Sequence, residues 1–224
     1  MLISLVSCRE NIVLLKEIPD KIIATKPCST LYSRILDLFP ESKNVLLQPK
    51  LFADTLQKNI TITKESEVYL TFISESTGFS NTLGWYSYNR SAVPQNSRDF
   101  EWHILFPNVS SHILRAGDRL KLRDQKFEKG TVIGFFLIFK GWQNGAIDYT
   151  KLTHFTNILL NKDQLQQHIL FEEKVCGDMV LTFEDIPMNQ FDCDHDFNDI
   201  IFTISDNNAN LVNSSFEQSN LIKL

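Results

Sequence analysis

From residue 59 onward the sequence is a succession of short β-branched and aromatic runs, and this pattern limits the fold more than any other feature. Typical runs cover residues 60–63, 68–73 and 131–139, and polar turn residues such as those at 128–130 separate them. Short runs that alternate with turns and not with helices are typical of antiparallel sheets. The sequence therefore predicts an all-β fold, an antiparallel β-sandwich of the jelly-roll kind.

Further strand candidates continue the same pattern through the rest of this region. They cover residues 84–88, 102–106, 119–122, 168–172, 179–184 and 199–205. Aromatic residues make up 11% of the chain, with 17 phenylalanines among them. Flat side chains of this kind pack well on a pleated sheet, which agrees with the predicted sandwich.

The residues before 59 have a different pattern. Apolar side chains recur at helical spacing over residues 29–39 and Pro40 follows, which predicts a short amphipathic helix. A second short helix is expected over residues 51–58. We therefore divide the chain into three parts: an N-terminal extension whose short helices pack on the sandwich (1–58), a β-sandwich domain (59–206) and a polar C-terminal tail (207–224).

Cysteine usage and the first residues bear on the compartment. Leu5-Val6-Ser7-Cys8 resembles a bacterial lipobox, which favours a secreted or surface-displayed protein, although a first β-strand or a truncated leader explains the same residues. The other cysteines are Cys28, Cys176 and Cys193. In an oxidising compartment four cysteines allow three sets of two disulfides, whereas in a reducing one they are small buried side chains.

The charge of the chain is unevenly distributed. No lysine or arginine lies between Lys174 and Lys223, and that interval holds nine acidic residues, so the remaining 18 acidic residues face 22 basic ones. This interval carries a charge of -9 and the rest of the chain +4. Nucleic-acid binding requires a basic surface, so this distribution argues against it. No apolar run approaches the roughly 18 residues that a membrane-spanning helix needs.

Six of these acidic residues lie in one segment between two apolar runs, residues 179–183 and 200–202. Like charges at this density repel one another, and a bound cation removes the repulsion. Carboxylate and amide oxygens suit a hard ion with six to eight oxygen ligands, so the segment predicts a Ca²⁺ site. An EF-hand is excluded because the positions that require glycine and glutamate hold Phe197 and Thr203 in one register and Asp199 and Ser205 in the other. A solvated acidic turn remains the alternative.

Residues 192–202 resemble the signature of the domain of unknown function 4114 family, also described as LruC-like, which occurs in bacterial surface and secreted proteins. The signature reads Gly-x-Asp-x-Asp-Phe-Asn-Asp, then two hydrophobic residues and Phe, and Asp192 stands at the position of its glycine. Blocks at residues 71–86, 104–118, 131–142 and 167–185 agree with the family in the same order. The resemblance covers roughly residues 39–205.

The resemblance implies a calcium-associated β-sandwich module without established catalysis, and therefore a non-enzymatic binding or structural role. It also identifies the candidate metal ligands. Five match the pattern and two are secondary: Asp185, Asp194, Asp196, Asn198 and Asp199, then Glu184 and Asp192.

Three other functions are weighed against this one. A calcium-dependent carbohydrate-binding module would present aromatic side chains to a glycan, and a surface protein is another possible partner. A zinc site or a hydrolase would need a different set of side chains. The candidates for these alternatives are Trp85, Tyr86, Trp102 and Trp142 for sugar stacking, His168, Cys176, Cys193 and His195 for zinc, and Glu75, Glu101 and Glu184 for glycoside hydrolysis.

Overall fold

The structure is a computed structural model that describes residues 16–208 and 213–224. The lipobox-like residues 5–8 lie outside the described residues. Within the described ranges there are fourteen β-strands, one α-helix and four short 3₁₀ helices. The strands and the α-helix are β1 (Ile23–Ala24), α1 (Leu31–Leu38), β2 (Ile60–Thr61), β3 (Tyr69–Glu75), β4 (Asn81–Asn89), β5 (His103–Val109), β6 (Asp118–Lys121), β7 (Thr131–Ile138), β8 (Trp142–Gln143), β9 (Ala146–Ile147), β10 (Thr153–Phe155), β11 (His168–Glu172), β12 (Met179–Phe183), β13 (Ile200–Ser205) and β14 (Ile222–Lys223). The 3₁₀ helices are Val45–Leu47, Pro49–Leu51, Ile158–Leu160 and Lys162–Gln164.

Two main sheets form the protein. The first has seven strands in the order β1-β6-β3-β13-β12-β11-β14, and the second has five, in the order β10-β7-β4-β5 with β2 on β7. Their strand pairs are antiparallel except that β14 runs parallel to β11, and β8 and β9 form a separate hairpin. The predicted all-β sandwich is confirmed.

The main hydrophobic core lies between the two sheets and follows from the alternation of side chains along the strands. Ile133, Phe135 and Leu137 on β7 belong to the same buried cluster as Phe202 and Ile204 on β13. Residues two apart on a strand point to one face, so each strand contributes every second side chain to this core. The strands β12 and β13 are also buried at the intervening positions, because both faces of the seven-stranded sheet are covered there.

The N-terminal helix covers the outer face of the seven-stranded sheet. Leu31, Ile35 and Phe39 belong to a second buried cluster together with Phe171 and Ile201. The spacing of three or four residues puts the helical members on one side of α1, which explains why this short helix forms here. The helix predicted over residues 29–39 is therefore confirmed, with bounds two residues later at its start and one earlier at its end.

The second predicted helix, over residues 51–58, is wrong. The second of two 3₁₀ helices ends at Leu51, and the amide of Leu56 donates to the carbonyl of Ala53 at 3.0 Å. The amide of Gln57 bonds at 2.9 Å to the carbonyl of Asn220 in the C-terminal segment. The backbone amide of Gln57 therefore donates to a distant segment and not to a carbonyl within a helix.

The described part of the C-terminal segment returns to the sandwich. Phe216 and Leu221 are buried in the main core, and Ile222 pairs with Phe171 across β14 and β11. Residues 213–224 thus add both a strand and core side chains to a segment whose sequence is mostly polar.

The structure selects one disulfide among the described cysteines. Cys28 is bonded to Cys176, across 148 residues of sequence. Cys193 is free and buried. The bond connects the chain just before α1 to the turn between β11 and β12.

Candidate metal centre

The acidic segment is the loop that connects β12 to β13, residues 184–199. These two strands pair antiparallel, and Phe183 lies opposite Ile200 at the end of the ladder. The next residue outward on each strand is Glu184 and Asp199, so strand pairing alone brings these two side chains together. The loop between them then carries the remaining acidic residues of the signature.

Glu184, Asp185 and Asp199 form a compact group, called here the inner cluster. Each offers a carboxylate oxygen, and these oxygens all lie within 4.8 Å of one another. Glu184 is 1% exposed and Asp185 is fully buried. The amide of Asp185 donates to Oδ2 of Asp199 at 2.8 Å, which holds the two residues in register.

Asp185 lies deepest in this cluster, and its carboxylate is only half satisfied. Its Oδ2 accepts a hydrogen bond of 2.7 Å from Nδ2 of Asn81 on β4, and the Asn81 Oδ1 accepts from the amide of Lys140. Its Oδ1 is buried and has no hydrogen-bond partner among the described residues. A buried oxygen without a donor is costly, so this atom is a candidate cation ligand.

The electrostatics of the inner cluster are unfavourable for three ionised carboxylates. Burial raises the pKa of Glu184 to about 7 and the pKa of Asp199 to about 10, and it also raises the pKa of Asp185. The charges of Asp185 and Glu184 raise the pKa of Asp199 further. Among the described residues, no lysine or arginine forms an ion pair with any of the three. The cluster therefore favours either bound protons or a cation.

His154 closes the same region from the five-stranded sheet. Its Nε2 lies 2.9 Å from the carbonyl oxygen of Asp185, and because a carbonyl only accepts, the ring donates. Burial lowers the pKa of His154 to about 4, so the ring is neutral at pH 7. This side chain supports the backbone of Asp185 and does not supply a compensating positive charge.

A second acidic group, called here the outer cluster, lies farther along the loop. It consists of Glu41, Asp194 and Asp196, whose carboxylate oxygens also lie within 4.8 Å of one another. Asp196 is buried, but both of its oxygens accept backbone amides, from Ser42 at 2.8 Å and from Asn198 at 3.0 Å. Glu41 is exposed. These contacts give both oxygens of Asp196 a hydrogen-bond donor, although burial still raises its pKa to about 6.

The predicted ligands are thus distributed over two groups and not around one point. Asn198 joins neither group, because its Oδ1 accepts from Oγ of Ser76 at 2.8 Å and its Nδ2 donates to the carbonyl of Phe39 at 3.0 Å. Asp192 is exposed and also lies outside both groups. Glu41 and Asn81 were not among the predicted site residues. Asn81 does stand in one of the family-like blocks, whereas no pattern in the sequence marks Glu41.

The side chains proposed for zinc do not come together. Cys176 is in the disulfide. Nε2 of His168 donates to the carbonyl of Lys58, and Nε2 of His195 lies 3.0 Å from the carbonyl of Met188. Among the described residues, the grouped metal-binding side chains are all carboxylates. A zinc site built from these residues is therefore not formed.

The side chains proposed for sugar stacking and glycoside hydrolysis are placed as follows. Trp85, Tyr86 and Trp142 are buried, so they do not form an exposed aromatic platform. Phe191, in the acidic loop, is fully exposed instead. The glutamates are placed separately: Glu75 accepts from the amide of Ser111, Glu101 Oε2 lies 3.8 Å from His103 Nε2, and Glu184 is in the inner cluster.

A comparison with known protein families matches a part of the chain that contains the acidic loop. Residues 127–207 match the model of a family described as a domain of unknown function, DUF4114. The match covers 81 of the 224 residues and makes this part of the chain similar to the DUF4114 family. The DUF4114 segment includes β7 to β13 and the whole acidic loop, whereas Glu41 and Asn81 lie before it. The resemblance over residues 39–126 stays a prediction.

Neither a curated protein nor a solved structure matches the chain. Within the described residues, no helix is both long enough and apolar enough to cross a membrane. The function is therefore inferred from the fold, the DUF4114-like segment and the chemistry of the acidic loop.

Proposed function

We propose that this protein is a non-enzymatic calcium-binding β-sandwich module in which Glu184, Asp185 and Asp199 hold the ion. The observation that carries the proposal is the Oδ1 atom of Asp185, which is buried without a partner inside a group of three carboxylates. A cation at this point would complete the coordination of that oxygen and neutralise the cluster.

The donor set supports calcium over other ions. All three side chains offer oxygen and none offers nitrogen or sulfur, which disfavours zinc and copper. Magnesium requires a strict octahedron and keeps several of its waters, whereas calcium accepts six to eight oxygens in irregular arrangements. A cluster formed from two strand ends supplies such an irregular set.

The proposed role of the ion is structural. Calcium held between Glu184 and Asp199 would tie the end of β12 to the start of β13 and fix the loop between them. If free calcium exceeds the dissociation constant tenfold, the folded state gains about 1.4 kcal/mol. A gain of this size rigidifies a loop without deciding whether the sandwich folds.

We also propose that the protein works outside the cytoplasm, as a secreted or surface-displayed module. The Cys28–Cys176 disulfide supports this, because such bonds persist in oxidising compartments. Extracellular calcium modules bind with dissociation constants of about 10⁻⁴–10⁻³ M, in the range of an external calcium supply. Its partner would then be a glycan or another surface protein.

Calcium-dependent carbohydrate binding is a second candidate, and Phe191 is the observation that favours it. This phenyl ring is fully exposed in the same loop as the acidic clusters, where it is free to stack on a sugar. Signal on a glycan array that disappears with a chelator and with Phe191→Ala would support this function. Absence of signal with and without chelator would remove it.

Calcium calorimetry on three proteins tests the main proposal. The wild type should release or absorb heat on binding one ion, Asp199→Asn should give none, and Asp194→Asn should behave like the wild type. The last variant is a matched control because it makes the same aspartate-to-asparagine substitution in the same loop but in the outer cluster. A wild type that shows neither heat nor a calcium-dependent rise in melting temperature would overturn the proposal.

A further inference from the structure

Residues 28–45, called here the N-terminal strap, connect the disulfide to the acidic loop. The strap begins at Cys28, bonded to Cys176, and contains α1, which packs on the outer face of the seven-stranded sheet. It ends at Val45, whose amide donates to the carbonyl of His195 in the loop at 2.9 Å. One short segment thus touches both the covalent bond and the candidate metal centre.

The contact between strap and loop is made of three hydrogen bonds. Besides the bond from Val45, the amide of Ser42 donates to Asp196 at 2.8 Å and the side chain of Asn198 donates to the carbonyl of Phe39 at 3.0 Å. Asn198 is adjacent in sequence to Asp199 of the inner cluster. Displacement of the strap would therefore release the part of the loop that leads into that cluster.

The other end of the strap is attached at the turn that holds Cys176. Arg34 on α1 forms an ion pair with the buried carboxylate of Glu173. The same carboxylate accepts the amides of Val175 and Cys176. The ion pair and the disulfide therefore attach the strap to the same turn. Loss of the disulfide removes the covalent bond between strap and turn and leaves the noncovalent contacts.

The disulfide is placed where a reductant can reach it. Cys28 and Cys176 are each partly exposed, and exposed residues flank both of them. Cys193, in contrast, is buried beside the inner cluster. Exposed disulfides are the ones that exchange readily with external thiols. A reductant in solution would therefore reach the Cys28–Cys176 bond.

We propose that the Cys28–Cys176 disulfide is a redox-sensitive clamp that holds the strap on the acidic loop and thereby sets the affinity of the inner cluster for calcium. The calcium part of this statement rests on the proposed function. In the switching step a dithiol reductant supplies two electrons and two protons. The sulfur–sulfur bond breaks, two cysteine thiols form, and the dithiol closes into its own disulfide.

The apolar contacts of α1 remain after reduction, so the strap loosens and does not detach completely. Local opening of this kind shows up as faster amide hydrogen exchange, because the loop opens more often while the rest of the fold stays closed. Coupling between two sites in one protein typically changes affinity by about 5–150-fold. We expect a loss of calcium affinity near the lower end of that range.

Hydrogen exchange on the full chain without calcium tests the clamp directly. Amides of residues 184–199 should exchange about tenfold faster in the dithiol-reduced protein than in the oxidised one, while those of β7 in the other sheet stay unchanged. The Cys28→Ser/Cys176→Ser variant should resemble the reduced wild type and show no further change with dithiol. Calorimetry on the same samples should show calcium affinity reduced about fivefold or more by reduction.

Unchanged exchange in the loop after complete reduction would overturn the clamp, and so would equal acceleration in β7, which indicates general unfolding. Faster loop exchange with unchanged calcium affinity would overturn the coupling to the metal centre. If the oxidised protein takes up no calcium at all, the proposed function fails, but the exchange experiment still decides whether the disulfide clamps the loop.

Discussion

The inner and outer clusters use the same kind of side chain on the same loop, yet their surroundings differ. In the outer cluster, Asp196 receives two backbone amides and Glu41 reaches solvent. In the inner cluster, Asp185 is fully buried and one of its oxygens has no donor. Acidic residues alone therefore do not define a metal site, and what distinguishes the inner cluster is unsatisfied burial.

The difference also separates two ways of stabilising negative charge. Two backbone amides hold the Asp196 carboxylate, one from Ser42 outside the loop and one from Asn198 within it, although burial still raises its pKa to about 6. The inner cluster has one side-chain amide, from Asn81, and two backbone amides, from Asp185 and Phe197, for three carboxylates. Protons or a cation must supply the rest, so the two clusters should respond differently to mutation and pH.

The largest expected effect is that of Asp199→Asn. Removal of a charged ligand should reduce calcium affinity by more than the about 10–100-fold that is typical of partners outside the coordination shell. Without calcium the same variant should be at least as stable as the wild type, because burial already keeps this carboxyl protonated at pH 7. Isothermal calorimetry and thermal unfolding measure the two effects, and a variant that binds calcium normally would contradict the assignment.

The next largest expected effect is the dependence of folding stability on pH. The pKa of Glu184 is raised to about 7 and that of Asp199 to about 10, so the folded state binds more protons than the unfolded state between about pH 4 and these values. Without calcium, the stability contributed by these protons is complete below about pH 4 and is lost as pH rises through 7 toward 10. Melting temperature should therefore fall from pH 5 to pH 8 without calcium.

Calcium competes with these protons, so its affinity should change with pH in the opposite direction. Release of the Asp199 proton on binding predicts about a tenfold loss of affinity for each unit of pH decrease, and below about pH 7 release of the Glu184 proton adds to it, so the loss between pH 8 and pH 6 should exceed about 100-fold. In Asp199→Asn the calcium-free pH profile should flatten. An affinity that does not depend on pH would argue against binding at the inner cluster.

A smaller effect is expected from Asn81→Ala. This change removes the 2.7 Å hydrogen bond that Asn81 donates to the Asp185 carboxylate, which should cost about 1–3 kcal/mol of folding stability and about tenfold in calcium affinity. Asn108→Ala is the control, because Asn108 is a buried asparagine that bonds to Glu17. It should lose stability and retain calcium affinity, and an equal loss of affinity in both would point to a general effect of destabilisation.

The smallest effects are expected from Glu41→Gln and Asp192→Asn. Both side chains are exposed, and exposed substitutions usually change stability by less than about 0.5 kcal/mol. Calcium affinity should stay within about twofold of the wild type, below the typical effect of a coupled site. Loss of binding in Glu41→Gln would move the metal site to the outer cluster and reverse the comparison.

The long strands were predictable because their hydrophobic pattern is local. The runs at 131–139 and 199–205 became β7 and β13 nearly as expected, since β-branched and aromatic residues recur along them. The strands β1, β8, β9, β10 and β14 were not predicted. Each is two or three residues long, which is too short for periodicity to mark it, and each forms only because a partner strand is nearby.

The candidate site was likewise predictable only where its pattern is local in the sequence. The density of acidic residues identified the loop, but its division into two clusters depends on contacts from distant parts of the chain. Glu41 comes from the strap and Asn81 from β4, and the loop approaches both only in the folded sandwich. Likewise the choice of Cys28 and Cys176 among the possible pairs depends on where α1 docks.

The pairing of Phe183 with Ile200 has a consequence for how such a loop tolerates changes in length. Glu184 and Asp199 are held by the ends of two central strands, and not by the path of the fourteen residues between them. A peptide tag inserted at the exposed Asn189–Gln190 step would lengthen that path without shifting either strand end. This end of the sheet should therefore accept an inserted peptide close to Glu184 and Asp199 while the positions of those two carboxylates stay fixed.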